Sequence, residues 1–147
     1  MKIHVRDVVS FFGRDYLVEG VVTYNVNGKR FQLARAVDGD AVLWVEPVRD
    51  EADDRLTVFK QVRDLEMAIP PPASIFYGQT TYLQRLAGKA SVEIAGAVPE
   101  HSAGASQVWR YHAAGDMVLH IESGSSGTWM AAGESVHRGM IDILPGK

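Results

Sequence analysis

Two histidines and a glutamate are the side chains whose types and spacing could do chemistry. His112 and His120 flank Gly115, and Glu122 lies two positions beyond His120. If Gly115 turns a β-hairpin, alternate residues of its strands share one face, which would bring the three side chains together. Two imidazoles and a carboxylate could form a His/His/carboxylate metal site. The simpler interpretation places them as partly exposed hairpin residues on the side away from the core, because no further ligand is evident.

Other reactive groups lack a recognisable setting. His4, His101 and His137 fall in terminal or loop-like sequence and are predicted to have no partner. The run Gly124-Ser125-Ser126-Gly127 lacks the strand-to-helix context of a nucleophile elbow and is expected to be a flexible loop. No glycine-rich phosphate motif is present, and the absence of cysteine removes thiol catalysis and cysteine-ligated metals. We therefore predict no cofactor and no catalytic residue, and a binding role before an enzymatic one.

Large aromatic residues are the remaining candidates for a site. Trp44, Trp109 and Tyr111 fall on predicted strands, where Trp109 and Tyr111 share one face. Most of these rings should belong to the core, because a small β-sandwich needs large side chains between its sheets. The alternative is an open aromatic binding surface, with Arg35, Arg110 and Glu122 around it.

The elements that would position these residues are β-hairpins. The stretch 29–46 places Asp38-Gly39 between two alternating runs, which predicts a type I′ turn, and the stretch 107–122 repeats the pattern around Gly115-Asp116. Further tight turns are predicted at Gly13 and at Asn27-Gly28. The chain therefore reads as antiparallel strands joined by short turns, with no convincing helical period.

The hairpins recur in a way that suggests an internal duplication. Gly20 and Gly96 are separated by the same number of positions as Glu46 and Glu122. We predict one domain made of two similar halves, about 1–66 and 74–147, joined by a proline-rich crossing at 67–73. A solvated loop is expected at 47–54 and a final edge strand at 140–145. The predicted fold is all-β: two pseudo-repeated antiparallel meanders packed as a sandwich or as a pair of curved half-barrels.

Composition narrows the functional class. The chain has 147 residues, a net charge of −3, and acidic and basic residues mixed along its length, which argues against nucleic acid as a partner. No apolar run approaches the length of a membrane span, so we expect no transmembrane segment and a cytoplasmic location. The oligomeric state is left open.

The order of several short motifs resembles a known family. The first part is Val8-Val9, Gly13 and then Tyr16-Leu17-Val18-Glu19-Gly20, followed by Trp44-Val45-Glu46. The later part is Tyr77 to Tyr82, Gly88 to Val92, Tyr111, Gly115, Ile121-Glu122 and Gly133-Glu134. With these motifs the chain resembles the bacterial domain of unknown function 4178 family over nearly its whole length.

The resemblance is imperfect at two places. The family tends to carry a tryptophan where this chain has Phe31, and an aromatic-rich strand end where it has Ser123-Gly124. The resemblance implies a β-rich, non-membrane domain, often encoded near small membrane proteins and polyamine-synthase-like enzymes. It implies no particular activity.

Two functions remain open from the sequence. The first expectation is a non-catalytic binding or assembly module that recognises a protein partner through an exposed edge strand or aromatic face. The alternative is a small-molecule or metal-binding protein, or an enzyme, with a site at the seam of the two halves, where His112, His120 and Glu122 would contribute. A polar pocket at the seam would favour the second, and a filled seam with an exposed patch elsewhere would favour the first.

Overall fold

The computed structural model describes residues 2–47 and 55–146. Within them the chain is almost entirely β-structure, as predicted, with one short 3-10 turn at Arg138–Met140. In chain order the strands are β1 (Val8–Phe11), β2 (Arg14–Val26), β3 (Lys29–Asp38), β4 (Ala41–Glu46), β5 (Arg55–Gln61), β6 (Ser74–Tyr77), β7 (Thr80–Gly96), β8 (Gly104–Ala113), β9 (Met117–Gly124), β10 (Gly127–His137) and β11 (Ile141–Leu144).

Eight of the strands close into an antiparallel barrel. Their order is β2–β3–β4–β5–β10–β9–β8–β7, and β7 pairs back onto β2. The predicted sandwich of two separate sheets does not form, because the β5–β10 and β2–β7 pairings join the first and last strands of the two meanders. Closure leaves no free edge within the barrel wall.

Two long strands, β2 and β7, each pair with two different strands along one edge. The start of β2 pairs with β1 and its end with β7, whereas the start of β7 pairs with β6 and its end with β2. Each strand has a register shift between these parts, at Val18/Gly20 and at Gln84/Leu86. Such a bulge increases local twist, which helps the strand turn from the extension into the barrel wall. β1, β11 and β6 thus form extensions outside the barrel.

Gly20 and Gly96 lie opposite each other in the β2–β7 pairing. Gly96 has φ +74, and a Cβ there would lie 2.3 Å from the Glu19 carbonyl oxygen. Only glycine satisfies both conditions without a shift of the backbone. The pair therefore marks a place where β2 and β7 approach too closely for a side chain at position 96.

The turns follow the prediction with one correction. Asn27 and Gly28 both have positive φ, as a type I′ turn requires. In the β3–β4 hairpin Asp38 pairs with Ala41, so the central residues are Gly39-Asp40, and only Gly39 has positive φ. That pattern matches a type II′ turn and not the type I′ turn expected from Asp38-Gly39, because the register shifted the loop by one residue.

Other expected segments can be compared directly. The proline-rich stretch 67–73 lies in the irregular connection between β5 and β6, and β11 is the predicted last edge strand. The run 124–127 forms a tight hairpin between β9 and β10 instead of a flexible loop. Residues 48–54 of the expected solvated loop lie outside the described residues.

Three apolar clusters divide the interior. One cluster draws residues from all eight barrel strands and so fills the barrel; it includes Tyr24, Leu33, Trp44, Phe59 and Trp129. A second lies between β1, β11 and the outer face of β2 to β5. A third lies under β6 and the 62–73 connection, against the outer face of β8 to β10. The barrel wall therefore carries buried residues on its inner face and on much of its outer face.

Candidate functional site

Charged and polar side chains lie inside the barrel among the apolar ones. On β9, Val118, His120 and Glu122 alternate inward, and on β8 Val108 and Arg110 do the same. Arg110 and His120 are directly opposed across the β8–β9 pairing. Buried charges persist in proteins when they are paired and hydrogen-bonded, so the contacts of these groups decide their state.

The Glu122 carboxylate accepts hydrogen bonds from three side chains. Oε1 accepts from the Tyr24 hydroxyl and from His120 Nε2 at 2.8 Å, and Oε2 accepts from His101 Nδ1 at 2.9 Å. Burial alone would raise the pKa of Glu122, but the bonds from His101 and His120 outweigh it and lower the pKa to about 2. The carboxylate is therefore ionised inside the barrel.

The positions of the protons in the network follow from the negative charge on Glu122. A carboxylate only accepts, so His120 carries its proton on Nε2, and Arg110 Nε, which only donates, bonds His120 Nδ1 at 2.8 Å. His120 is thereby held neutral. Burial, helped by the Arg110 charge, lowers the pKa of His120 to about 4.

Arg110 connects the network to one mouth of the barrel. Its Nη2 donates to Glu46 Oε1 at 2.7 Å. Its guanidinium carbon lies 4.3 Å from the centre of the Phe31 ring and 5.2 Å from that of Phe59. The cation is thus stabilised by one carboxylate and two aromatic faces.

His101 is the residue that the sequence reasoning missed. It was expected to have no partner, but it is buried in the barrel and bonds Glu122. Its Nε2 and the Trp129 Nε1 are buried without a hydrogen-bond partner among the described residues, and both residues border a cavity of about 10 Å³. The sequence signal that could have found His101 was Val98, an apolar residue in the same β7–β8 connection. Val98 enters the barrel core beside His101.

The other histidines lie outside the network. His112 lies at the Arg110 mouth and does not join His120 and Glu122, so the structure does not bring together the three side chains of the possible metal site. His120 and Glu122 do share a face, but that face is the barrel interior and not the side away from the core. His4 contacts Asp7 and His137 accepts from Gly139 N, although neither was expected to have a partner. The described residues contain no group of three or more side chains arranged to hold a metal.

The aromatic candidates belong to the core, as the favoured interpretation predicted. Trp44 is fully buried inside the barrel, and Trp109 and Tyr111 lie together in the cluster under β6 and the 62–73 connection. The Tyr111 hydroxyl donates to the Pro72 carbonyl at 2.7 Å. These three rings therefore do not form an open binding surface.

Three cavities of similar volume open at the surface of the described part. One, of about 310 Å³, lies beside β11 and is lined by Lys2, Arg138, Ile141, Asp142 and Ile143. The mouth cavity, of about 320 Å³, is lined by Lys29, Phe31, Glu46, Arg85, Leu86, Arg110 and His112. The outer groove, of about 360 Å³, lies over β5 and β10 between the tips of the β1–β2 and β6–β7 hairpins. The barrel interior itself is filled by side chains, so the larger open spaces lie at the surface.

The fold and its interior define a class: a closed eight-stranded antiparallel barrel with extra strands outside it, filled by aromatic residues and an ionised Glu–His network. No helix in the described part is long and apolar enough to cross a membrane. The chain belongs to the family described as Domain of unknown function (DUF4178), whose model matches residues 4–138. This match spans the whole barrel and ends before β11. Neither a curated protein nor a solved structure matches the chain.

Proposed function

We propose that this protein is a non-catalytic binding module that takes an extended segment of a protein partner in the outer groove. The observation that carries the proposal is Phe12, which is 73% exposed at the tip of the β1–β2 hairpin and borders the groove. Its φ of +49 is unfavourable for a bulky residue. Aromatic residues are enriched at protein interfaces, and strained backbone positions cluster at functional sites, so both properties of Phe12 support a role in binding.

The surroundings of Phe12 support a peptide ligand. Phe11 packs against Phe12 with ring centres 4.5 Å apart, and Tyr77 forms the opposite wall, held by its hydroxyl bond to Asp64 at 2.9 Å. The exposed charges Lys60 and Glu134 lie along the floor. An open trough with apolar walls and charges of both signs suits an extended chain with mixed side chains.

The filled interior supports binding without catalysis. Glu122 and His120 are hydrogen-bonded to other side chains and line none of the three larger surface cavities. A catalytic group must reach the reacting atoms of a substrate. The Glu–His network serves here to hold the barrel, and the outer groove serves the partner.

We also infer that the barrel consists of two related halves that act as one domain. Each half supplies a short outer strand, a long bulged strand and three further barrel strands. Arg35 pairs opposite Trp44 just beyond the first bulge, and Arg110 pairs opposite His120 just beyond the second. In this arrangement the outer groove lies at the β5–β10 seam between the halves, with one hairpin tip from each.

The test compares Phe12 with Phe76, a similarly exposed aromatic residue (67% against 73%) that does not border the groove. A photo-crosslinking amino acid at position 12 should capture a defined protein that the same probe at position 76 does not. With that partner purified, Phe12→Asn should weaken binding by at least about tenfold, because asparagine tolerates positive φ but removes the anchor. Phe76→Asn should bind like the wild type. Capture that is equal from both positions, or affinity unchanged by Phe12→Asn, would refute the proposal.

A further inference from the structure

The mouth cavity is strongly basic although the protein is acidic overall. Lys29, Arg85 and Arg110 line it with His112, and Glu46 is the one acidic residue among the described residues of its lining. Glu46 is already bonded to Arg110 at 2.7 Å. Among the residues that the structure describes, the charges of Lys29 and Arg85 therefore remain uncompensated at this mouth, whereas the whole chain has a net charge of −3.

The two remaining cations, Lys29 and Arg85, have no charged partner among the described residues although both line one cavity. Elsewhere Arg14 bonds Asp38, and Arg35 bonds both Glu19 and Glu100. Within the described ranges, the side chains of Lys29 and Arg85 form no ion pair or hydrogen bond. They come from β3 and from the bulge in β7, so two separate strands bring like charges to one cavity.

The rest of the lining gives the cavity an apolar side. The Phe31 ring lies at its base, stacked under the Arg110 guanidinium, and Leu86 is half-buried beside it. A volume of about 320 Å³ falls at the lower end of the range for small-molecule sites. The cavity thus offers an apolar floor together with an anion-attracting rim.

The pKa of His112 responds to its burial and to the charges at this mouth. Its pKa is lowered by partial burial first, and then by the charges of Arg110 and Arg85, against a weaker opposing effect of Glu46. A negative charge bound among these groups would oppose the lowering and move the pKa upward.

We propose that the mouth cavity binds a small organic anion. Its carboxylate or phosphate group lies between Lys29 and Arg85, and its apolar body packs on Phe31 and Leu86. This site is separate from the outer groove and stands or falls independently of the protein partner proposed there. The anion completes the charge balance that the described side chains leave open.

The experiment is an NMR titration of the intact protein with benzoate, phenyl phosphate and inorganic phosphate, with benzamidine as the cation of matched shape. Benzoate or phenyl phosphate should shift the His112 ring and Leu86 methyl resonances saturably. Either one should also raise the titration midpoint of His112. Binding of benzamidine to the same resonances, or no saturable shift with any anion, would overturn the proposal. Inorganic phosphate binding as tightly as phenyl phosphate would overturn the apolar part of it.

Variants locate the site. Arg85→Gln and Lys29→Gln should each weaken binding of the anion by about fivefold or more, because each removes a charge-assisted bond. Lys89→Gln is the control, since Lys89 is exposed on the same strand as Arg85 but does not line the cavity. Equal weakening in the control and in Arg85→Gln would mean a general charge effect and would refute the specific site.

Discussion

At the scale of single residues, the interior network makes stability depend on pH. The folded pKa of His120 is about 4, below its ordinary value of 6.5, and that of Glu122 is about 2, below 4.5. In both cases the unfolded chain takes up the proton first as pH falls. Their contributions to stability are present at neutral pH and are lost between about pH 6.5 and 4 for His120, and between about 4.5 and 2 for Glu122.

We expect the free energy of unfolding to fall by ~3 kcal/mol between pH 6.5 and 4 through His120 alone. Denaturant unfolding at a series of pH values measures this directly. His120→Gln keeps a donor for Glu122 and an acceptor for Arg110 but cannot titrate, so its profile should be flatter over the same window. His4→Asn, an exposed position outside the network, should keep the wild-type slope. A flat wild-type profile in this window would contradict the expectation.

The sequence predicted part of this network. Alternation was enough to place His120 and Glu122 on one face, but the direction of that face depends on closure of the barrel. His101 could not be found in this way, because it reaches Glu122 from a connection without periodic pattern. Arg110 was named only as a rim residue of a surface, since a lone arginine in a strand gives no signal of a buried partner.

At the scale of elements, hairpins were predictable because their turn residues have local conformational requirements. Gly13, Asn27-Gly28 and Gly115-Asp116 all adopt positive φ at the expected turns. The close approach of β2 and β7 was not predictable. The sequence offered Gly20 and Gly96 as matching positions of a repeat, whereas the register places them directly opposite each other.

The close approach of β2 and β7 leads to a prediction for Gly96. Gly96→Ala should destabilise the fold by more than Gly115→Ala, which is a matched control with nearly the same φ, +80 against +74, but no atom within 4 Å of the added Cβ. The control should cost about 1–2 kcal/mol through backbone strain alone. At Gly96 the Cβ also meets the Glu19 carbonyl at 2.3 Å, so the β2–β7 pairing must open or shift. Thermal unfolding of both variants shows which one loses more stability. Equal losses would show that β2 and β7 can move apart at this position without cost.

At the scale of the whole molecule, closure was the feature that local patterns could not give. Strands of the sandwich that we expected should alternate buried and exposed residues, but β4 buries Leu43, Trp44 and Val45 in succession. Both faces are covered because extensions lie outside the barrel wall. Continuous apolar runs of this kind fit several architectures, and only long-range pairing selects among them.

Closure of the barrel should also determine which strands open first and so which backbone amides exchange fastest. β6 and β11 pair on one side only, whereas each barrel strand has neighbours on both sides. We therefore expect amides of β6 and β11 to exchange fastest among the strands, and amides at the β2–β7 seam, such as those of Val22 and Tyr24, to exchange only through global unfolding. Native-state hydrogen exchange measured residue by residue tests this. Faster exchange at the seam than in β6 would mean that the barrel opens there first.

Because all three tryptophans are buried, their fluorescence reports on the interior of the protein. Trp129 lies with its ring centre 4.5 Å from that of His101, 5.5 Å from that of His120 and 4.8 Å from that of Trp44. Indoles excluded from water emit at short wavelength, and a protonated imidazole in contact with an excited indole quenches it. The protein's own fluorescence should therefore dim as the network gains a proton, before the red shift that accompanies unfolding, and so report the state of the barrel without any added label.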